Sequence, residues 1–386
     1  MRVKVVVPVW GLDYINTFTN ISLATQLSEN NLPLIAKKYE VEYVIYTLKS
    51  DLSFFENSES VKLLRKFSNV RFELIHKFQT KNTYRLYGQI HFRELKKSSK
   101  FDESVFLINS DFVFSDGFFS QTLKEIKKSI RVVNIVCPRA NLESVSSILQ
   151  TKFSKSKNTI KVNTNNLTSI YLRNIHKMMD YHMLPKAPTD EFLPSSLMWK
   201  ARNGSLFIRN FHFHPILIYP NKIKLKQIKK TIDDGYVYDN FNKSEIYIQE
   251  EYDKYFAIEL SKESQSYKPV GKYDDYLNLF FYFFTQIKSN FINYNSEIVI
   301  GKITRKELGD FRLESEREIT RLVTNYLYVT RKYNRLIRFH ILIKAYWFFA
   351  AYFSKKKAYF PNFMIELLLG MHEFLVVKIF KVKNQS

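Results

Sequence analysis

The chain has 386 residues, with 59 Lys and Arg against 37 Asp and Glu, a formal net charge of +22, and 16% aromatic residues. Scarce Gly and Pro (nine and ten) with abundant aromatics exclude intrinsic disorder, and the length allows a large core in two domains or in one domain with an extension. The charge calls for an anionic partner (nucleic acid, phosphorylated substrate or acidic membrane surface), and the single cysteine, Cys137, rules out an intrachain disulfide framework and fits a reducing compartment.

The apolar run after Met1-Arg2 is broken by Lys4 and Pro8 and is too short for a signal peptide, so a cytosolic protein, or one on a membrane face open to the cytosol, is expected. Residues Val3–Val7 read as a strand by β-branching, and Pro8-Val-Trp10-Gly11 ends it in a ligand-facing loop. A helix is expected from about Tyr14 to Ser28, a second strand over Val41–Leu48 leading to Asp51, a helix over Ser58–Phe67 and a third strand over Val70–Ile75. Thr83–Leu95 reads as a helix before a fully buried strand, Val105–Ile108, which stops at Asn109-Ser110-Asp111. Alternation at this spacing predicts an α/β sheet with parallel pairs and right-handed crossovers.

Beyond Gly117 the expectations are a helix to about Lys128, a strand over Arg131–Val136, partial loop from Thr151 to Thr168, and a helix over Leu172–Met183. Two further strands, Ser205–Ile208 and Pro215–Tyr219, are joined through Arg209 and the His212-Phe-His214 alternation. From about Asp274 the composition changes: residues 277–284 are nearly all apolar, and Leu336–Phe353 and Phe360–Phe380 are apolar, aromatic and flanked by lysines. Neither of the last two offers a clean apolar span of membrane length, so they are expected to lie in the interface of an anionic bilayer, or to form a helical bundle or dimer contact. The domain division is therefore 1–270, catalytic, and 271–386, helical and basic-aromatic.

With this order fixed, residues up to about 240 resemble the GT-A class of nucleotide-sugar glycosyltransferases. The residues carrying the resemblance are the strand into Pro8-Val-Trp10-Gly11, the strand ending before Asp51, Asn109-Ser110-Asp111 in the place of the class's DxD motif, Asp116-Gly117, and His212-Phe-His214-Pro215. The resemblance implies a GT-A-like Rossmann-type mixed sheet flanked by helices, and a strand-end aspartate, Asp111, that coordinates Mn²⁺ or Mg²⁺ on the diphosphate of a nucleotide sugar. Asn109 replaces an acid and offers a carbonyl oxygen without charge, which shifts further metal ligation to Asp116, His212 or His214.

The remaining assignments follow from the chemistry such a transfer needs. Pro8, Trp10 and Asp51 would flank the nucleotide, Trp10 by stacking and Asp51 by hydrogen bonding to the base. Arg209, with Arg202 and the lysines from Lys222 to Lys230, would neutralise the diphosphate as it leaves. An inverting transfer needs a carboxylate to take the acceptor's proton; the resemblance implies Asp190-Glu191, which sit where many members of that class place the base, with Asp233 and Asp234 next in line. Against each stands a simpler role: caps and turns for the aspartates, packing for Trp10, a solvated face for the lysines. The function expected is a sugar transfer to a glycan or glycolipid acceptor on the cytoplasmic membrane face. A nucleic-acid-binding protein is the alternative, prompted by charge and aromatics but without a recognisable motif, and a catalytically degenerate scaffold is a third.

Overall fold

The structure, a computed structural model, describes residues 2–78, 82–127, 129–156, 158–184, 196–210, 212–228, 231–233, 235–265 and 296–320. The chain divides into two units, Met1–Val323 and Thr324–Ser386, and all described residues belong to the first. Asp190-Glu191, Asp234, the apolar run at 277–284 and the two basic-aromatic stretches after 330 lie outside the described residues.

Sixteen strands are formed among the described residues: β1 (Arg2–Pro8), β2 (Glu40–Thr47), β3 (Asn69–Leu74), β4 (Glu103–Leu107), β5 (Phe112–Phe114), β6 (Val132–Ile135), β7 (Arg139–Asn141), β8 (Ser154–Ser156), β9 (Thr159–Ile160), β10 (Met183–Leu184), β11 (Ser196–Lys200), β12 (Leu206–Asn210), β13 (His214–Ile218), β14 (Ile246–Ile248), β15 (Ala257–Ser261) and β16 (Glu297–Ile300). Seven of them make the main sheet, in the order β14-β6-β13-β4-β1-β2-β3. The pairs β1–β2, β1–β4, β2–β3 and β6–β14 are parallel, and β13 runs antiparallel between β4 and β6. The fold is thus a mixed α/β sheet flanked by helices.

Burial on both faces explains why β1 reads as a continuous apolar run instead of an alternating one. Val3, Val5 and Val7 pack with Phe18, Leu23 and Phe55 on one face, while Val6 joins Val44, Tyr46, Ile90 and Leu95 on the other. Each such fully buried aliphatic side chain contributes about 1.5–3 kcal/mol. Lys4, 4% exposed, interrupts that apolar run because its ammonium reaches Glu103 at 2.8 Å, Glu42 at 3.2 Å and Glu94 at 3.6 Å.

Topology decides where a ligand can enter. After β1 the chain adds β2 and β3 on one side, then returns to place β4 on the other. Strands leaving in opposite directions open a crevice at their carboxyl ends, here between the end of β1 and the end of β4. Three short strands, β5-β15-β7, form a second sheet just past the end of β4. β16 pairs with β12 in a third, so Glu297–Ile300, in the region expected to be helical, is a strand of the first unit.

One helix is displaced from its expected position. Instead of Leu172–Met183 it spans Thr164–Arg173, and Lys177–His182 is a short tight turn. The Asn163 side chain accepts from the Asn166 backbone at 2.8 Å, an N-cap that fixes the start eight residues earlier than apolar periodicity suggested.

Candidate functional site

The crevice is lined first by the loop after β1. Val9 continues the ladder to the Tyr46 carbonyl at 2.8 Å, and Gly11 then turns the chain with φ +81°, a conformation L side chains rarely adopt. The Gly11 N–H donates to Asp51 Oδ2 at 2.8 Å and the Ser50 hydroxyl donates to Oδ1 at 2.9 Å. Asp51, 8% exposed, therefore ties the β2 end to the β1 loop, and both its oxygens are engaged where recognition of a base was expected. Trp10 is partly exposed beside Tyr87, ring centroids 5.5 Å apart, and the Tyr87 hydroxyl lies 3.5 Å from the Pro8 carbonyl.

Asp111 stands across the crevice at the end of β4. The Phe112 N–H donates to the Asn109 carbonyl at 3.3 Å, closing the turn, and the Asp111 carbonyl accepts from Leu260 of β15 at 3.0 Å. That bond brings in Glu259, which pairs with Phe112 on one side and Arg139 on the other. Arg139 Nη2 lies 2.9 Å from Glu259 Oε1. Asp111 Oδ1 is shielded from solvent and has no hydrogen-bond partner. Burial, with the Glu259 charge added, holds the Asp111 carboxyl well above the usual carboxylate range, and Arg139 offsets this only in part. Glu259 is also raised, burial outweighing the attraction of Arg139 and His214.

β13 runs antiparallel, so its first residue, His214, arrives at the same edge of the sheet. Its Nε2 lies 2.7 Å from the Leu107 carbonyl and its Nδ1 2.8 Å from Asp233 Oδ1. Both partners accept, so both ring nitrogens carry hydrogen and His214 is an imidazolium. Burial opposes that charge, but the Asp233 charge and the two hydrogen bonds outweigh it and raise the His214 pKa above its ordinary value. Asp233 is lowered in turn, its burial overcome by His214. His91, buried in the helix Thr83–Ser98 with neither nitrogen partnered, is pushed down to about 3 by burial and by the His214 charge, and is neutral.

Several of the expected site residues already have partners within the protein. Both His214 ring nitrogens are engaged, by Leu107 and Asp233; His212 precedes β13, its Nε2 is buried without a hydrogen-bond partner, and its charge also acts on Asp233. Asp116 accepts from the Asn30 backbone at 3.2 Å and from Asn30 Nδ2 at 2.7 Å, with Lys161 at 3.9 Å, and so anchors the Asn30 loop. Arg209 is 3% exposed, bonded to Ser315 at 3.1 Å, Glu297 at 3.0 Å and Glu316 at 2.7 Å, and so is occupied where a diphosphate contact was expected. Asp116→Ala should lower stability by about 1–2 kcal/mol, since it orphans the partly buried Asn30 donors. Urea unfolding reads this cost, and ligand binding at Asp111 should be unchanged in the same variant.

Sequence reasoning passed over Glu259, Arg139, Tyr87 and His91. Glu259 and Arg139 meet through the pairing of distant strands, and Tyr87 and His91 come from the helix Thr83–Ser98; no local pattern carries either placement. No group of three or more His, Cys, Asp or Glu that could hold a metal occurs among the described residues. Asp111 and Glu259 nevertheless fit a Mg²⁺ or Mn²⁺ ion that takes its other ligands from water and a bound phosphate, because such ions commonly use one or two carboxylates, and Asp111 Oδ1 lacks any other partner.

No protein-family model and no curated protein matches the chain. Among solved structures it is similar to a 4-diphosphocytidyl-2C-methyl-D-erythritol synthase from Anaerococcus prevotii, with 15% identity over 37% of this chain and 56% of that one, at a TM-score of 0.23. It is also similar to a protein of Bacillus anthracis described as a glucose-1-phosphate thymidylyltransferase, with 12% identity over 44% of this chain and 83% of that one, at a TM-score of 0.24. The chain thus spans little more than half of the first of these, and likenesses at this level say nothing about its activity.

Proposed function

We propose that this chain is a nucleotide-sugar-dependent glycosyltransferase that moves a sugar from a nucleoside-diphosphate donor to a glycan or glycolipid acceptor, as in the assembly of bacterial surface polysaccharides. The observation that carries the reading is the placement of Trp10 and of the Asp111–Glu259 pair at opposite lips of the crevice where the strand order reverses. An aromatic face on one lip suits a base, and carboxylates on the other suit a cation-bound diphosphate.

Asp111 and Glu259 would hold the divalent ion, and when bound it would neutralise charge on the diphosphate leaving group. The chain's own residues do the rest. Trp10, backed by Tyr87, stacks on the base. Arg139 balances the charge of Glu259, and the His214 imidazolium fixes the end of β4 through the Leu107 carbonyl. Asp190 or Glu191 accepts the proton of the attacking hydroxyl in an inverting displacement. The basic, aromatic region 271–386 keeps the enzyme on an anionic, cytosol-facing membrane or pairs it with a second copy. No helix among the described residues is long and apolar enough to cross a membrane.

The test is thermal unfolding with UDP, GDP, dTDP or CMP, each with Mn²⁺ or EDTA. A ligand present at one hundred times its Kd adds about 2.7 kcal/mol to stability. The expected result is a metal-dependent rise with one nucleoside diphosphate that is lost in Asp111→Ala. No rise with any nucleotide, together with salt-sensitive binding of oligonucleotides, would overturn the reading in favour of nucleic acid.

A further inference from the structure

Six large apolar or aromatic side chains stand exposed among the described residues: Leu12 (53%), Tyr14 (47%), Phe54 (47%), Tyr84 (65%), Phe101 (52%) and Leu313 (64%). The topology sorts them. β1, β2 and β3 are parallel, so the residues that follow each of them emerge at one edge of the sheet. Leu12 and Tyr14 lie in the first turn after the β1 loop, Phe54 in the helix Leu52–Glu56 after β2, and Tyr84 in the first turn of Thr83–Ser98, the helix that carries the chain from β3 back to β4. Four of the six therefore rim the same edge as Trp10 and Asp111. Phe101 lies just before β4, at the opposite edge.

We propose that this rim docks on an anionic lipid bilayer, so that the mouth of the crevice opens onto the membrane surface. Tyr14 and Tyr84 combine an apolar ring with a polar tip, the kind of side chain that settles at headgroup level. Leu12 and Phe54 supply apolar area without a polar group to desolvate. The local charge favours an anionic surface: Lys49 and Arg85 are exposed near Phe54 and Tyr84 in the sequence against one exposed acid, Glu56, and Asp13, between Leu12 and Tyr14, is neutralised by Lys262 at 2.6 Å. The chain's net charge of +22 adds long-range attraction to an acidic surface. The docking rests on the transferase reading only for what enters the mouth, an acceptor carried by lipid.

Sedimentation with vesicles of phosphatidylcholine, with or without phosphatidylglycerol, tests the proposal. The full chain is expected to bind the anionic vesicles, and the fourfold variant Leu12→Ser, Tyr14→Ser, Phe54→Ser, Tyr84→Ser to bind them on the order of a hundredfold more weakly. Its melting temperature and its nucleotide response should match the parent. Equal binding by parent and variant, as when the region after residue 271 alone holds the membrane, would overturn the docking face. So would failure of the parent to bind. An independent measurement places a reporter at the rim: in Tyr84→Trp, vesicles containing brominated lipid should quench more fluorescence than in the parent, and equal quenching would also refute it. The nucleotide arm distinguishes the two proposals, since a parent that binds vesicles but no nucleotide fails as a transferase while its docking face stands.

Discussion

Asp111→Asn should make the folded protein more stable above neutral pH and should abolish the cation-dependent nucleotide response proposed above. Both effects come from one carboxylate. Burial and the neighbouring Glu259 raise the Asp111 pKa, so the folded state keeps a proton that the unfolded chain releases near pH 4. A raised carboxylate pKa means that stability declines as pH climbs from about 4 towards the raised value, and is level beyond it. Asparagine removes that decline, which should be worth about 1–3 kcal/mol at pH 8 for a group that is partly exposed. Urea unfolding of parent and variant at pH 5 and pH 8 reads the difference directly. Function runs the other way: a cation binds the deprotonated form, so affinity in the parent should rise up to about tenfold per pH unit below the Asp111 pKa. A variant that still shows the metal-dependent shift, or a parent whose stability has the same pH profile as the variant, would remove Asp111 from the site. A group costly to the free protein and needed only with ligand is the signature of a residue retained for function.

The sequence was informative wherever the signal was local. β1, β2, β3 and β4, the helix Thr83–Ser98 and the strands near 132, 206 and 214 stand within a few residues of their expected places, because runs of β-branched residues and clean apolar periodicity fix them. The position of Asp111 at the end of β4 was legible because an apolar run ended in small polar residues. That of Glu259 was not. Ala257–Ser261 alternates over only four residues, and its carboxylate comes beside Asp111 only because β15 pairs with β5 at Phe112, nearly 150 residues earlier in the chain. The internal partners of three candidate residues were not legible, for one cause. Asp51, Asp116 and Arg209 are charged residues beside apolar runs, which resemble site residues until their partners are known: Gly11 and Ser50, Asn30, and Glu297 with Glu316. Charge satisfaction by residues remote in the chain is invisible to spacing. The partners of the two His214 ring nitrogens, Leu107 and Asp233, were equally hidden from spacing.

Truncating Lys4 is expected to cost more stability than any other single change considered. Lys4 lies near the start of β1 and Glu103 begins β4, so their cluster occupies the edge of the sheet opposite the crevice. Glu94, with no exposed side chain, receives Tyr46 Oη at 2.5 Å, Lys97 at 2.7 Å and Arg71 at 3.3 Å, besides Lys4 at 3.6 Å. Burial raises the Glu94 pKa, but the hydrogen bonds from Lys97 and Tyr46, with the cations, win and lower it. Its stabilisation is therefore present above about pH 4 and lost as pH falls through the depressed value. Lys4 is raised against its own burial, chiefly by Glu103, so its contribution is lost only as pH rises above its ordinary value of 10.5. In Lys4→Ala the carboxylates of Glu94 and Glu103 stay buried with less compensation, which should cost about 3–5 kcal/mol at pH 7. Protonation relieves the uncompensated charge, so the gap between parent and variant should shrink as pH approaches 4. The double variant Lys4→Met, Glu103→Met should recover most of the loss, because an apolar pair needs no ion to satisfy it, and Ser98 can turn its hydroxyl to a carbonyl of its own helix. Chemical unfolding at pH 7 and pH 4.5 checks all three chains. Nucleotide affinity per folded molecule should be the same in each, since the cluster holds the amino ends of the strands and the crevice lies at their carboxyl ends. A single variant as stable as the parent would mean that the cluster contributes nothing beyond its own desolvation.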